Sequence, residues 1–159
     1  MKKLKLYFDA SAVGNLDQAT LPREMADMQT LWEFVKLREY DIVISSTLLD
    51  ELNAIKDMDK KNAILDYLEQ VDFEPVQPTK EIHDIAKLII QHGILTQKSY
   101  NDCMHIAFAL VTGCDCIVTY NFKHLVNLKT IKSVRRISFI QGYGDIDILT
   151  AETLIKERS

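Results

Sequence analysis

The stretch SYNDCMHIAFALVTGCDCIVTYNF, residues 99–122, joins a predicted helix to a predicted buried strand. Apolar side chains dominate the helix, Gly113 ends it, and residues 116–119 form the short apolar run typical of a buried strand. The strand is followed by polar groups, among them Thr119 and Asn121. A helix that leads directly into a buried strand indicates an α/β unit.

The same alternation continues on both sides of this stretch. We predict strands at 4–8, 42–45 and 116–119, and helices at 22–39, 46–56, 59–70, 80–92 and 99–112. Further on, we predict a short helix at 122–127, a strand at 135–140, and a short strand and terminal helix within 146–157. Strands that alternate with helices favour an α/β fold with a mainly parallel sheet, here as a single domain over residues 1–159.

Composition excludes several classes of protein. Apolar residues make up 47% of the 159 residues, which is enough for a sizeable core. No apolar run approaches the roughly 18 residues of a membrane span, and no signal peptide pattern is present, so we expect a cytoplasmic protein without a membrane partner. The three cysteines lack a second pair that would complete a zinc site, and we expect buried, reduced thiols.

Charge is distributed unevenly along the chain. The net charge of −4 argues against a general nucleic-acid coat, which depends on counterion release. Residues 50–84 are rich in acids, whereas residues 121–144 contain none. The second segment carries the basic residues Lys123, His124, Lys129, Lys132, Arg135 and Arg136. A basic flank beside an acidic crevice suits a polyanion, and the alternative is a solvated charged face.

Three acidic residues are placed to meet at one edge of the predicted sheet. Asp9 ends the first strand, Glu51 lies just beyond the second, and Asp102 opens the helix before the third. The carboxyl ends of parallel strands face a common crevice. Carboxylates gathered there repel one another unless a hard divalent cation neutralises them. The pattern therefore predicts a magnesium or manganese site that acts on phosphate, with the amide of Asn121 as a further oxygen ligand.

Each of these residues also has a structural interpretation. Asp9 can cap the helix that follows it, Glu51 can be an exposed helix residue, and Asn121 can cap a helix. Asp102 can complete a capping box with Ser99. Their common position near strand ends, in the chain order expected for one crevice, favours the shared site.

Four segments together resemble PIN-domain ribonucleases, close to the toxin half of bacterial VapC-type toxin–antitoxin pairs. They are YFDAS at 7–11, SSTLLDEL at 45–52, NDCMHIA at 101–107 with Ala109, and CDCIVTYNFKHL at 114–125. The last two segments in tandem are specific, and the resemblance covers nearly the whole chain.

The resemblance implies a three-layer α/β/α sandwich and magnesium- or manganese-dependent endonucleolytic cleavage of RNA. The family's four acidic positions and two supporting polar positions fall on Asp9, Glu51, Asp102 and Asn121, and on Ser11 and Thr119. The fourth position is usually Asp, and Asn121 departs from it. Since three carboxylates leave two divalent ions incompletely neutralised, we expect one ion to bind moderately and a second to arrive with the substrate phosphate. The departure also leaves weak or lost activity open.

The resemblance further implies a small antitoxin protein as partner, and a homodimer. Trp32 with Met25 or Met28 are candidates for the antitoxin contact, with burial in the core as the alternative.

Three other polar residues near these motifs are not predicted to be metal ligands. We expect His105 and His124 to be structural, because a magnesium site has little use for imidazole. Asp115 precedes its strand, so we expect it at the opposite edge of the sheet.

Two other functions fit part of the pattern. A non-catalytic PIN-like module would bind RNA or protein, and Asn121 makes it plausible. A phosphoacceptor receiver domain also gathers acids at strand ends, but it needs an Asp on a central strand and a Lys at a later strand end. The sequence has Asp9 on its first strand and no evident strand-end Lys, which disfavours the receiver.

Overall fold

In the computed structural model, which describes residues 2–158, four parallel strands form one sheet in the order β2-β1-β3-β4. The strands are β1 (Lys5–Phe8), β2 (Asp41–Val43), β3 (Cys116–Val118) and β4 (Asp147–Leu149). Tyr7 of β1 lies beside Val43 of β2 and Ile117 of β3. Because all neighbouring strands are parallel, their carboxyl ends share one edge. The predicted parallel α/β fold is confirmed.

Helices cover both faces of this sheet. They are α1 (Ala10–Gly14), α2 (Pro22–Lys36), α3 (Ser46–Asn53), α4 (Met58–Glu69), α5 (Lys80–Gln91), α6 (Tyr100–Val111), α7 (Leu128–Ile140) and α8 (Ala151–Glu157). Successive strand residues point to opposite faces, and the core accordingly divides into two clusters. Tyr7 and Ile117 pack with α5, α6 and α7, whereas Phe8 and Val118 pack with α2, α3, α4 and α8. Three layers result.

Local sequence signals explain most helix boundaries. Pro22 occupies the first turn of α2, where its missing N–H costs nothing. The side chain of Ser45 caps α3 by accepting the Leu48 N–H. Gly93 and Gly113 follow α5 and α6 with φ of 70° and 73°, the left-handed conformation that glycine adopts readily after a helix.

Two predicted elements are wrong. Residues 122–127 form turns rather than a helix, and residues 135–140 are the end of α7 rather than a strand. The Asn127 side chain accepts a hydrogen bond from the Thr130 N–H at 2.9 Å and so starts a helix. Val134 and Ile137 then face the core three residues apart, the spacing of a helix. The predicted strand and terminal helix within 146–157 are present as β4 and α8.

Two of the three candidate antitoxin contacts on α2 lie in the core, and the third, Met25, is partly buried. Trp32 and Met28 are fully buried, and the Trp32 ring packs edge-on against Phe8 at 5.5 Å between centroids. The indole N–H donates to the Tyr67 carbonyl at 3.0 Å, which satisfies its one donor. The core interpretation of Trp32 and Met28 is therefore correct.

Among residues 2–158, no helix combines the length and the apolar composition that a bilayer crossing requires.

Candidate active site

Asp9 is the residue between the end of β1 and the start of α1. Its carboxylate accepts the Ala12 N–H at 2.9 Å as the N-cap of α1. The same carboxylate accepts the hydroxyls of Ser11 at 2.7 Å and Thr119 at 2.6 Å. Only 3% of Asp9 is exposed. The capping interpretation is therefore true, yet Asp9 also has two hydroxyl partners that capping does not require.

Ser11 and Thr119 bind the end of β3 to the end of β1. The Ser11 oxygen accepts the Tyr120 N–H at 2.8 Å, and the Thr119 oxygen accepts the Asn121 N–H at 3.0 Å. Burial is the main influence on the Asp9 carboxyl and raises its pKa above the ordinary value of 3.8. His105, Thr119, Ala12 and Ser11 oppose that rise. The protein thus holds a desolvated carboxylate in a fixed position.

Glu51 is held by a buried chain of hydrogen bonds that starts at its own helix. The Ser45 oxygen, which caps α3, lies 2.8 Å from the Tyr7 hydroxyl. That hydroxyl lies 2.5 Å from His105 Nδ1, and His105 Nε2 lies 2.5 Å from Glu51 Oε1. A carboxylate oxygen accepts, so His105 donates from Nε2 to Glu51 while its other ring nitrogen contacts the Tyr7 hydroxyl. The core therefore fixes the direction of Glu51.

Asp102 contacts the turn that follows β3. Its Oδ1 accepts the Asn121 amide at 3.2 Å, and its Oδ2 accepts His124 Nδ1 at 2.8 Å. The oxygen of Asn121 accepts the His124 N–H at 3.0 Å, which is the capping role considered for it. Ser99 precedes α6 without a side-chain capping bond, so the predicted alternative of a capping box with Asp102 is wrong.

Two hydrogen-bonded groups lie at the carboxyl edge of the sheet, one with Asp9 and Asp102 and the other with Glu51, and α6 contributes a residue to each. Thr119 joins Asp9 to Asn121, Asn121 binds Asp102, and one turn along α6 His105 binds Glu51. Asp115, by contrast, accepts the Lys5 N–H at 2.8 Å, at the amino end of β1 where the sequence placed it.

The donors of these two groups match a hard divalent cation in chemistry, since they are carboxylate and amide oxygens. Within residues 2–158 no three His, Cys, Asp or Glu side chains lie in an arrangement that would hold a metal ion. The described partners of the three carboxylates are hydroxyl, amide and imidazole groups and include no lysine or arginine. Their charge therefore has no permanent cationic partner. Metal ligation by Asp9, Glu51, Asp102 and Asn121 stays a prediction.

Sequence reasoning missed the residues that orient the carboxylates. His105 follows Asp102 by three positions, and this helical spacing placed both on one face of α6 without revealing the bond to Glu51. Tyr7 gave no signal, because an aromatic residue in an apolar strand is ordinary core. Its contact with His105 joins residues 98 positions apart.

Two clefts adjoin the candidate active site. The first, of about 400 Å³, has Ser11, Glu51, Lys60 and Tyr120 in its lining. The second, of about 290 Å³, is lined in part by Ser99, Lys123, His124 and Lys129. Glu51 thus opens into one cleft, while the imidazole that binds Asp102 lines the other.

The PIN domain family model matches residues 27–126, more than half of the chain. The chain belongs to the PIN domain family. The match includes Glu51, Asp102 and Asn121 and begins after Asp9. No curated protein matches the chain. PIN domains are generally nucleases that use divalent metal ions, and the parallel three-layer fold agrees with the family.

Proposed function

We propose that this chain is a magnesium- or manganese-dependent endoribonuclease that hydrolyses RNA phosphodiester bonds. Asp9, Glu51, Asp102 and Asn121 would hold one or two ions. The observation that carries the proposal is the pair of polar groups at the carboxyl edge of the sheet: hydrogen bonds link Asp9 to Asp102 through Thr119 and Asn121, and His105, one turn along α6 from Asp102, binds Glu51. Carboxylates held close together repel one another, which costs folding free energy until a cation binds between them.

The neighbouring side chains have distinct tasks in this proposal. Ser11 and Thr119 hold Asp9 in place, which lowers the cost of ordering it when an ion binds. His105 directs Glu51 from the core, and Asn121 holds Asp102. A bound divalent ion supplies Lewis-acid chemistry at the phosphate and at the attacking water.

Asn121 has a dual role in the proposal. Its amide N–H donates to Asp102, and its oxygen keeps one lone pair after accepting the His124 N–H. That lone pair is available to an ion directly or through a water molecule, without adding a fourth negative charge.

RNA cleavage by matched variants tests the proposal. Defined RNAs are incubated with manganese and the wild type, Asp9→Asn, Asp102→Asn or Asp50→Asn. Asp50 is an exposed acid next to Glu51, so its variant makes the same chemical change outside both polar groups. We expect cleavage by the wild type and Asp50→Asn only. Equal cleavage by all four proteins would contradict the assignment.

We further propose that the enzyme is the toxin of a type II toxin–antitoxin pair and forms a homodimer. Both proposals depend on the resemblance of the sequence to VapC-type toxins. A small DNA-binding protein encoded by the neighbouring gene should form a stable complex with the chain and suppress its RNA cleavage. Light scattering should give about twice the chain mass of 18.3 kDa for the free protein.

A second candidate is a PIN-like module that binds RNA or protein without cleaving it. The amide of Asn121 favours this module, because the ion then has one carboxylate ligand fewer. Retention of RNA by the wild type in manganese, with no cleavage product, would support this module instead of the enzyme.

A further inference from the structure

Phe122 exposes an aromatic ring beside the candidate active site. The residue is 60% exposed and directly follows Asn121, whose amide contacts Asp102. Its ring meets Tyr120 nearly edge-on at 6.3 Å between centroids. One exposed aromatic residue is ordinary on a protein surface, so the surroundings of Phe122 decide what it can bind.

The second cleft gives those surroundings a positive charge. Lys123 and Lys129 line it together with His124, and its described lining residues include no Asp or Glu. Both lysines are exposed. In a chain with a net charge of −4, a cleft with this lining is suited to an anion. Its position next to His124, and through it to Asp102, places that anion beside the candidate active site.

The turn 120–124 connects the two clefts. Tyr120 lines the first cleft, where Lys60 also lies, and Lys123 and His124 line the second. Phe122 lies in the sequence between these two linings. The turn thus joins a cleft that contains Lys60 and Glu51 to a cleft that contains Lys123 and Lys129.

We propose that single-stranded RNA binds across the turn 120–124, stacks one base on Phe122, and sets flanking phosphates against Lys60 in one cleft and Lys123 and Lys129 in the other. The proposal rests on the proposed function and assigns the residues that bind the strand. Aromatic rings stack with any unpaired base, and lysines neutralise the backbone. A duplex keeps its bases stacked inside, so it cannot make the same contact.

Fluorescence anisotropy of a labelled single strand tests the proposal. The wild-type protein is titrated in chelator, which prevents metal-dependent cleavage, with RNA of about 12 nucleotides, within the usual size of such sites. Phe122→Ala should weaken binding by about 5- to 150-fold, the loss of one stacked base. Phe122→Trp should retain affinity. With an abasic strand, the difference between wild type and Phe122→Ala should disappear.

The lysines have a separate signature. Lys123→Ala/Lys129→Ala should reduce the slope of log affinity against log salt by about 0.7 for each lost phosphate contact. Two control variants leave both clefts intact. Phe139→Ala removes a ring that is 85% exposed at the end of α7, and Lys36→Ala/Lys87→Ala removes two charges. We expect wild-type binding from both controls.

The outcomes separate this inference from the proposed function. Wild-type affinity in Phe122→Ala and Lys123→Ala/Lys129→Ala, or the absence of any RNA binding, overturns the inference. Tighter binding of duplex RNA or of single-stranded DNA than of single-stranded RNA also overturns it. If the expected pattern appears but manganese gives no cleavage, the strand assignment stands and the nuclease proposal fails. If RNA is cleaved and the variants bind RNA with wild-type affinity, the nuclease proposal stands and the strand assignment fails.

Discussion

Replacing Asn121 by Asp introduces the acid that is usual at the matching position of the PIN-domain ribonucleases that the sequence resembles. The change exchanges the amide NH2 for an oxygen and so tests the contact with Asp102. Asn121 donates its amide N–H to Asp102 Oδ1 at 3.2 Å. An aspartate keeps the acceptor for the His124 N–H but loses that donor. Two carboxylates then face each other across the former hydrogen bond. The metal-free protein should become less stable, and the gain on adding metal should become larger.

The magnitude follows from the contact. Two like charges about 4 Å apart repel by about 1 kcal/mol in water and about 4 kcal/mol near a protein surface. Asp102 retains 22% side-chain exposure, which places the cost between these limits. Since 1 kcal/mol moves the melting temperature by roughly 2–4 °C for a domain of this size, the variant should melt at least about 2 °C lower in chelator. Each tenfold gain in manganese affinity should return about 1.4 kcal/mol at saturation.

Thermal melts at about pH 8, well above ordinary carboxyl pKa values, in chelator and in saturating manganese, measure both effects. Asn127→Asp is the matched control, because it adds the same charge, preserves the cap of α7 through the Thr130 N–H, and likewise loses an amide donor, here in a solvent-exposed bond to the Lys123 carbonyl. The control should melt like the wild type in chelator and show the same manganese shift. If Asn121→Asp melts with the wild type in chelator, or gains no more from manganese, the reasoning about this pair is refuted.

Three further predictions concern buried groups. Burial raises the Asp9 pKa above 3.8, so the folded state binds that proton more tightly than the unfolded state. Stability of the metal-free protein should therefore fall as pH rises through the window above 3.8, and urea titrations of Asp9→Asn should lack that component. His105→Ala removes a buried ring bonded to Tyr7 and Glu51, and chemical denaturation should show a loss of about 2–4 kcal/mol, against less than about 0.5 for the exposed His92→Ala. Burial raises the pKa of the Cys103 and Cys114 thiols to about 11 and that of Cys116 to about 12. A thiol reagent should therefore label the native protein slowly and the unfolded protein fully. Rapid labelling of the native protein would contradict this prediction.

The fold was largely predictable because its signals are local. Residues 4–8 are apolar except for Lys5 and lead into Asp9, whose side chain caps a helix, so both the strand and its polar end could be located. Gly113 separates α6 from β3 in the same way. The error at 135–140 arose because β-branched residues in VRRISFI are common to strands and buried helices, and the deciding cap, Asn127, lies upstream.

The partners of the candidate site were less predictable, for a physical reason. A strand end or a helix cap involves neighbours in sequence, whereas the bond from His105 to Glu51 spans 54 positions. The sequence located the supporting hydroxyls of Ser11 and Thr119 through a resemblance only, without the bonds they make to Asp9. Tertiary packing decides which polar groups meet, and no local pattern records it.

The capping residues of this chain bear on why position 9 is an acid. Asp57 also caps a helix, α4, but it is exposed, so water offsets the cost of its charge. Ser45 is as buried as Asp9 and caps α3 with a neutral hydroxyl. A neutral side chain is thus sufficient for a buried cap in this protein, and a buried carboxylate costs more. Capping does not require an acid at position 9, nor does it require the two extra hydroxyl partners. In the proposed site, a divalent cation would neutralise Asp9 and the two hydroxyls would hold its carboxylate in place, so the proposal includes Asp9 although the family match begins after it.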